Sequence, residues 1–298
     1  MMQRFFKPVG MALAALAALA GCSPIRALDA LTPDDTYTLH ADIDYGQAPR
    51  QQLDLYVPTT GQPPYPVVVF FYGGSWSSGS RQEYRFMGEA LASRGMLAVV
   101  ADYRLSPEVT YPVFIQDAAR AVDWTARHIA QWGGDTRQLY VMGHSAGAYN
   151  AAMVALDPRW LGELGASPKL LAGWIGLAGP YDFLPITGRA LKPIFLFPDT
   201  PPDSQPLAHA GPDAPRTFLR SGADDHAVDP RRSTLQLGET LRAAGVPVDV
   251  ALYPNLGHAM LAGAFSRPLR SRAPVLDDVQ RFVEAGGAQP AGATGAQR

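Results

Sequence analysis

Hydrophobic residues fall in two rhythms along this chain, and the changes from one to the other outline alternating strands and helices. Residues 37–45 and 51–57 alternate apolar with polar positions on either side of Gly46-Gln47-Ala48-Pro49, which predicts an antiparallel pair at a sheet edge. Val67-Val68-Val69-Phe70-Phe71, residues 96–101 and residues 139–142 are apolar at nearly every position, the pattern of strands covered on both faces of a mostly parallel sheet. Between them, Tyr84, Met87 and Leu91 recur at helical spacing up to Gly95, and Ile115, Ala118, Val122, Ala126 and Ile129 do so up to Gly133-Gly134. Further strands are predicted at 171–178, 217–221 and 248–253, with helices at 231–244 and 275–285. Residues 179–215 are proline-rich and without period, which predicts a loop or a reduced lid rather than a second domain. The fold class expected is α/β, a mostly parallel central sheet with helices on both faces.

Composition bounds this picture without changing it. With 298 residues, 47% of them hydrophobic and 17% charged, the chain can bury one large core. A single domain is expected over residues 36–285, and a Gly/Ala/Gln-rich tail over 286–298 is expected to be disordered. The net charge of −2 gives no ground for a nucleic-acid partner. Arg4 and Lys7 precede a small-apolar stretch, residues 8–20, that has the layout of a secretory signal and is too short to span a bilayer as a mature helix. The stretch ends Leu19-Ala20-Gly21-Cys22, and Cys22 is the single cysteine of the protein. This resembles the bacterial lipoprotein signal, which implies removal of residues 1–21 and lipidation of Cys22. Residues 22–35 then form a tether, and the protein is held in the cell envelope with the membrane as a partner. Ser23 after the cysteine implies the outer membrane in a two-membrane cell. With no other cysteine, disulfides are excluded.

Candidate chemistry centres on Val141-Met142-Gly143-His144-Ser145-Ala146-Gly147, where a strand gives way to the small residues of a helix. So tight a turn places strained backbone on Ser145, leaves room only for glycine at 143 and 147, and lifts the serine hydroxyl to the end of the sheet. A serine needs a base, an acid that orients the base, and donors for an oxyanion. Of the six histidines, only His258 follows the last strand in the order serine, acid, histidine. The loop after residues 217–221 offers Asp224, Asp225 and Asp229; the spacing Gly222-x-x-Asp225-x-x-Val228 resembles the usual acid turn of hydrolases built in this order, which implies Asp225, with Asp229 suited to capping the helix that Pro230 opens. Gly73 and Gly74 after the third strand, with the N–H of Ala146, make the candidate oxyanion hole. Trp76 and Tyr181 are candidate walls of the substrate pocket. Neither nucleotide-binding glycine motif is present, no His/Cys/carboxylate group has metal-ligand spacing, and no cofactor or metal is implied.

Residues 53–282 resemble the α/β-hydrolases of the carboxylesterase and hormone-sensitive-lipase-like group. They are most similar to the branch with BD-FAE (feruloyl-esterase-like) and kynurenine-formamidase-like enzymes. The resemblance rests on Leu53-Asp54-Leu55-Tyr56-Val57-Pro58, on Asp102-Tyr103-Arg104-Leu105-Ser106-Pro107-Glu108 with Tyr111-Pro112 and Asp117, and on Gly143-His144-Ser145-Ala146-Gly147. One departure is Tyr72, where the family usually has a histidine that braces the paired glycines. The resemblance implies a serine hydrolase that cleaves carboxylic esters through Ser145, Asp225 and His258; the short, irregular segment 179–215 and the Trp76 ring beside the glycines predict a confined pocket and short acyl groups. An arylformamidase-like amidohydrolase and a non-catalytic binding module on the same fold are the alternatives.

Overall fold

The computed structural model describes residues 28, 29 and 31–287. The expected signal segment, Cys22 and most of the expected tail lie outside the described residues. Eight strands, β1 (Tyr37–Asp44), β2 (Gln52–Pro58), β3 (Tyr65–Phe71), β4 (Leu97–Ala101), β5 (Gly134–His144), β6 (Gly173–Leu177), β7 (Thr217–Gly222) and β8 (Val248–Tyr253), form one sheet in the order β1-β2-β4-β3-β5-β6-β7-β8. β1 pairs with β2, and β2 with β4, antiparallel; every other pairing is parallel. The alternating segments therefore lie at one edge, and the all-apolar segments β3, β4 and β5 lie inside, where Val67 to Phe71 and Leu97 to Ala101 are fully buried except where β3 begins.

The longer helices are α1 (Arg85–Ala92), α2 (Val113–His128), α3 (Ala146–Leu156), α4 (Pro158–Gly162), α5 (Leu191–Ile194), α6 (Gln236–Ala243), α7 (His258–Gly263) and α8 (Val275–Gly287). α2 and α3 pack on each other and on β3 and β5, while α1 covers β2 and β4, and α8 covers β5 and β6. Arg94, just past α1, bonds to Asp277 and Gln280 of α8, so these two helices are neighbours. α3 is buried along its whole length, which is why it carries Ala and Gly rather than an amphipathic pattern.

Several boundaries differ from expectation. α8 runs to Gly287, past the expected end at 285, and Gly286 packs closely on the Tyr140 hydroxyl. Part of the expected tether also belongs to the body. Asp29 lies half-buried beside Arg85 and Phe86 at the start of α1, and Asp35 O accepts from Thr59 Oγ1. The segment 179–215 holds only the single-turn helix α5 and the short 3₁₀ turns Pro202–Ser204 and Pro206–His209. No helix among the described residues is long and apolar enough to cross a membrane.

Candidate active site

The turn from β5 into α3 holds Ser145 at φ 55°, ψ −122°. A Cβ on Gly143 would lie 2.1 Å from Gly147 O, and one on Gly147 would lie 2.0 Å from Phe71 O, so no larger residue fits at either position. Ser145 N–H donates to Leu177 O of the neighbouring strand at 2.9 Å, which fixes the turn to the sheet.

Two loops at the same end of the sheet deliver the other groups. Gly222 ends β7 against the backbone of Leu256, and the N–H groups of Ala223 and Asp224 donate to Tyr253 O and Leu256 O at 2.8 and 3.1 Å. The acid loop and the histidine loop are thereby tied together. His258 opens α7, a short helix that the sequence pattern does not reveal. His258 Nε2 lies 2.8 Å from Ser145 Oγ, and Nδ1 lies 2.7 Å from Asp225 Oδ2. The side chain of Asp225 is fully buried, and its Oδ1 accepts from the N–H groups of Ala227 and Val228, each at 2.9 Å. Burial alone would raise the Asp225 carboxyl; the His258 hydrogen bond and the two backbone donors outweigh it and hold the group below the usual carboxylate range. It therefore stays ionised and accepts a hydrogen bond from Nδ1–H, which leaves Nε2 as the lone-pair nitrogen facing Ser145. The two neighbouring carboxylates lie elsewhere: Asp224 is exposed, and Asp229 accepts from the N–H groups of Arg231 and Arg232 as a cap.

Gly73, Gly74 and Ala146 all line the cleft beside Ser145. Gly73 is the nearest, since a Cβ there would lie 3.0 Å from Ser145 Cβ. The Tyr84 phenol faces it from the wall of the cleft. Burial pushes the Tyr84 phenol up to about 12, against the Gly73 N–H that favours the ionised form. The loop beyond is tightly wound, with Ser75 and Trp76 at φ 52° and 56° and the N–H groups of Ser77 and Ser78 on Gly74 O.

The cleft has a volume of about 680 Å³. Trp76 forms part of its wall while being 98% buried: its Nε1 donates to Asn150 Oδ1 at 3.0 Å, and its ring meets Tyr149 and Phe195 edge-on. Tyr181 does not line the cleft. It is fully buried against Trp174, with its ring over Gly176 and Gly179, and its neighbours Pro180, Asp182 and Phe183 face the cleft in its place. Tyr84, Phe183, Leu191 and Arg232 are wall residues that the sequence pattern alone does not single out. His144 is buried behind Ser145. Its Nε2–H donates to His258 O at 3.1 Å, and burial, reinforced by the nearby His258 ring, pushes its pKa down to about 3.

Comparison with known proteins agrees with this architecture. The BD-FAE family model matches residues 53–168. A protein of Arabidopsis thaliana named a probable isoprenylcysteine alpha-carbonyl methylesterase is 31% identical over 241 residues, covering 74% of this chain and 50% of the relative. A kynurenine formamidase of Danio rerio is 33% identical over 145 residues, 49% of this chain and 47% of the relative. The chain thus spans about half the length of these curated relatives. Among solved structures, esterase B from Lactobacillus rhamnosis superposes with a TM-score of 0.74 at 21% identity, covering 93% of this chain and 94% of the other. A carbohydrate esterase from gut microbiota gives 0.73 at 18% identity, covering 86% and 99%. The protein therefore has the α/β-hydrolase fold, and its residues 53–168 carry a BD-FAE domain.

Proposed function

We propose that this protein is a serine hydrolase that cleaves carboxylic esters through an acyl-enzyme on Ser145. The observation that carries the proposal is the continuous row Asp225 Oδ2, His258 Nδ1, His258 Nε2, Ser145 Oγ, with contacts of 2.7 and 2.8 Å. In the first half-reaction His258 Nε2 takes the Ser145 proton as Oγ attacks the ester carbonyl, and Asp225 stabilises the imidazolium. The N–H groups of Gly73, Gly74 and Ala146 are the donors for the oxyanion, a contribution of about 3–4 kcal/mol for each well-aimed donor. Collapse breaks the bond to the alcohol oxygen, which leaves with the proton from His258 Nε2. Water then attacks the acyl-serine with His258 again as base, so that ester plus water gives acid plus alcohol.

Short acyl groups are the expected substrates. The acyl side of the cleft runs into Trp76, Phe183 and Phe195, whose rings pack on one another at centroid distances of 4.8–6.2 Å. The likeness to a kynurenine formamidase supports a second reading, an amidohydrolase using the same groups on an N-formyl arylamine. A fluorophosphonate probe should label the wild type and not Ser145→Ala, and no labelling of the wild type would leave only a binding module. A panel of p-nitrophenyl esters beside an N-formyl arylamine then separates the two enzymatic readings, and a formamide preferred over every ester would favour the second.

We further propose that the protein is a lipoprotein of the bacterial cell envelope, anchored to the membrane through Cys22, with 36–285 as its single catalytic domain. Labelled fatty acid should enter the wild type and not Cys22→Ala; a wild type without label that stays soluble would contradict the anchor.

A further inference from the structure

Beside the cleft lies a second cavity of about 220 Å³, which the mechanism above does not use. The two share three walls: Ala259, which is exposed, and Tyr84 and His144, which are buried. We propose, on the ester-hydrolase reading above, that this cavity takes an apolar chain carried by the leaving alcohol of the ester.

Its side of the cleft follows from the proton transfer. The group that leaves must sit within hydrogen-bond reach of His258 Nε2, which protonates it. Four of its walls, Ala259, Met260, Ala262 and Gly263, come from the helix that His258 begins, which sets the cavity on the His258 side of the cleft, where the leaving group is protonated. The acyl side is the aromatic wall of Trp76 and Phe183.

Its chemistry follows from the lining. Apart from the Tyr84 hydroxyl and the His144 ring, every wall is hydrocarbon, glycine or methionine. His144 is neutral and spends its Nε2–H on His258 O, and burial keeps the Tyr84 phenol un-ionised. A sugar or a charged alcohol would find few partners there, whereas an alkyl chain loses nothing by leaving water. Met260, 37% exposed, places an apolar, adaptable side chain at the surface end. Gly263 keeps the interior open: a Cβ there would point at Leu269 Cδ1 (3.3 Å), Met260 Sδ (3.7 Å) and Leu28 Cδ1 (4.0 Å), all ends of flexible side chains.

The test is kcat/KM of the full chain across ethyl, butyl, hexyl and octyl acetate, with p-nitrophenyl acetate as reference. Each methylene that enters the cavity should raise kcat/KM by about fourfold until the cavity is full. Gly263→Leu fills the cavity from within and should collapse the octyl-to-ethyl ratio towards one; Met260→Trp, at the surface end, should lower the same ratio and guards against a folding failure of the first variant. Turnover of ethyl acetate with a flat alcohol series, or a rising series that survives both substitutions, would overturn the proposal. Failure to turn over any ester, p-nitrophenyl acetate included, would instead overturn the esterase reading and this inference with it.

Discussion

The hydroxyl of Tyr72 donates to Oδ1 of Asp102 at 2.6 Å, and this contact joins the loop of the paired glycines to the loop after β4. Arg50 closes the arrangement by donating to the Tyr72 oxygen at 2.6 Å and to Gly79 O at 2.8 Å. Arg81, at the far end of the glycine loop, binds Asp102 through its backbone N–H at 2.8 Å and through its guanidinium at 2.6 Å. Both ends of the loop are therefore held by one buried carboxylate. Tyr72 also lies between the rings of Tyr84 and Tyr103, at 5.4 and 5.0 Å. The residue that departs from the family's usual histidine thus braces the loop by another route.

Tyr72→Phe keeps the ring and removes the hydroxyl, leaving Arg50 and Asp102 each short of a partner. A buried hydrogen bond to a charged group contributes about 1.5–3 kcal/mol, and the variant should lose that much unfolding free energy. Because the Gly74 donor shifts with the loop, kcat should fall about tenfold with KM little changed. Steady-state kinetics beside urea unfolding checks both, and an unchanged kcat would mean that the loop is held without Tyr72.

Three carboxylates crowd the acid loop, and their contacts differ. Asp225→Asn should lower kcat by about 10⁴, since an amide no longer holds His258 in the required tautomer. Asp229→Asn should stay within a few tenths of a kcal/mol of wild type, because asparagine caps a helix as well as aspartate does. Asp224→Asn, on an exposed side chain, should be near neutral. An active Asp225→Asn beside a dead Asp224→Asn or Asp229→Asn would reverse the assignment.

His144 makes acid stability a measurable property of the elbow. Its pKa is pushed down to about 3 in the folded protein, chiefly by burial, from an ordinary value of 6.5. Between those values the unfolded chain holds one more proton than the folded one, so stability rises with pH and is lost as pH falls below about 6.5. His144→Gln should reduce this slope by about 1.4 kcal/mol per pH unit between pH 4 and 6. Asp225, whose carboxyl is held low, adds its own loss only below that window. Equal slopes for wild type and variant in urea titrations would show that His144 titrates normally.

On the proposed reading, the aromatic wall of Trp76 and Phe183 is what limits acyl length. Wild type should prefer acetyl to butyryl esters and fall steeply beyond, since a fitting methylene adds about 0.8 kcal/mol and a clashing one reverses the gain. Phe183 is only partly buried and lines the cleft, so Phe183→Ala should move the optimum to longer chains at modest cost in stability. An unmoved optimum would place the limit elsewhere.

What the sequence made legible follows from backbone constraint. Gly143 and Gly147 stand where the fold leaves no space for a Cβ, and the all-apolar runs of β3 and β4 are buried on both faces, so pattern and structure coincide there. The cleft walls had no such signal. Tyr84 matches the helical spacing of Met87 and Leu91, yet it ends a separate turn, Arg81–Tyr84, and faces Gly73. Phe183 and Leu191 come from a segment without period, placed by tertiary contacts alone. Tyr181 shows the cost of a one-residue ambiguity: it turns into the core beneath Gly176, and its neighbours on either side take the cleft. α7 is six residues long, too short for periodicity to mark.

Turnover through a covalent acyl-serine is tested most directly by intact-protein mass spectrometry after rapid acid quenching of a p-nitrophenyl acetate reaction. Wild type should carry one acetyl group, mapped by peptide digestion to Ser145, and Ser145→Ala should carry none and lose about 10⁴–10⁶ in kcat. An acetyl group on another residue, or a Ser145→Ala protein that hydrolyses the ester at the wild-type rate, would contradict it.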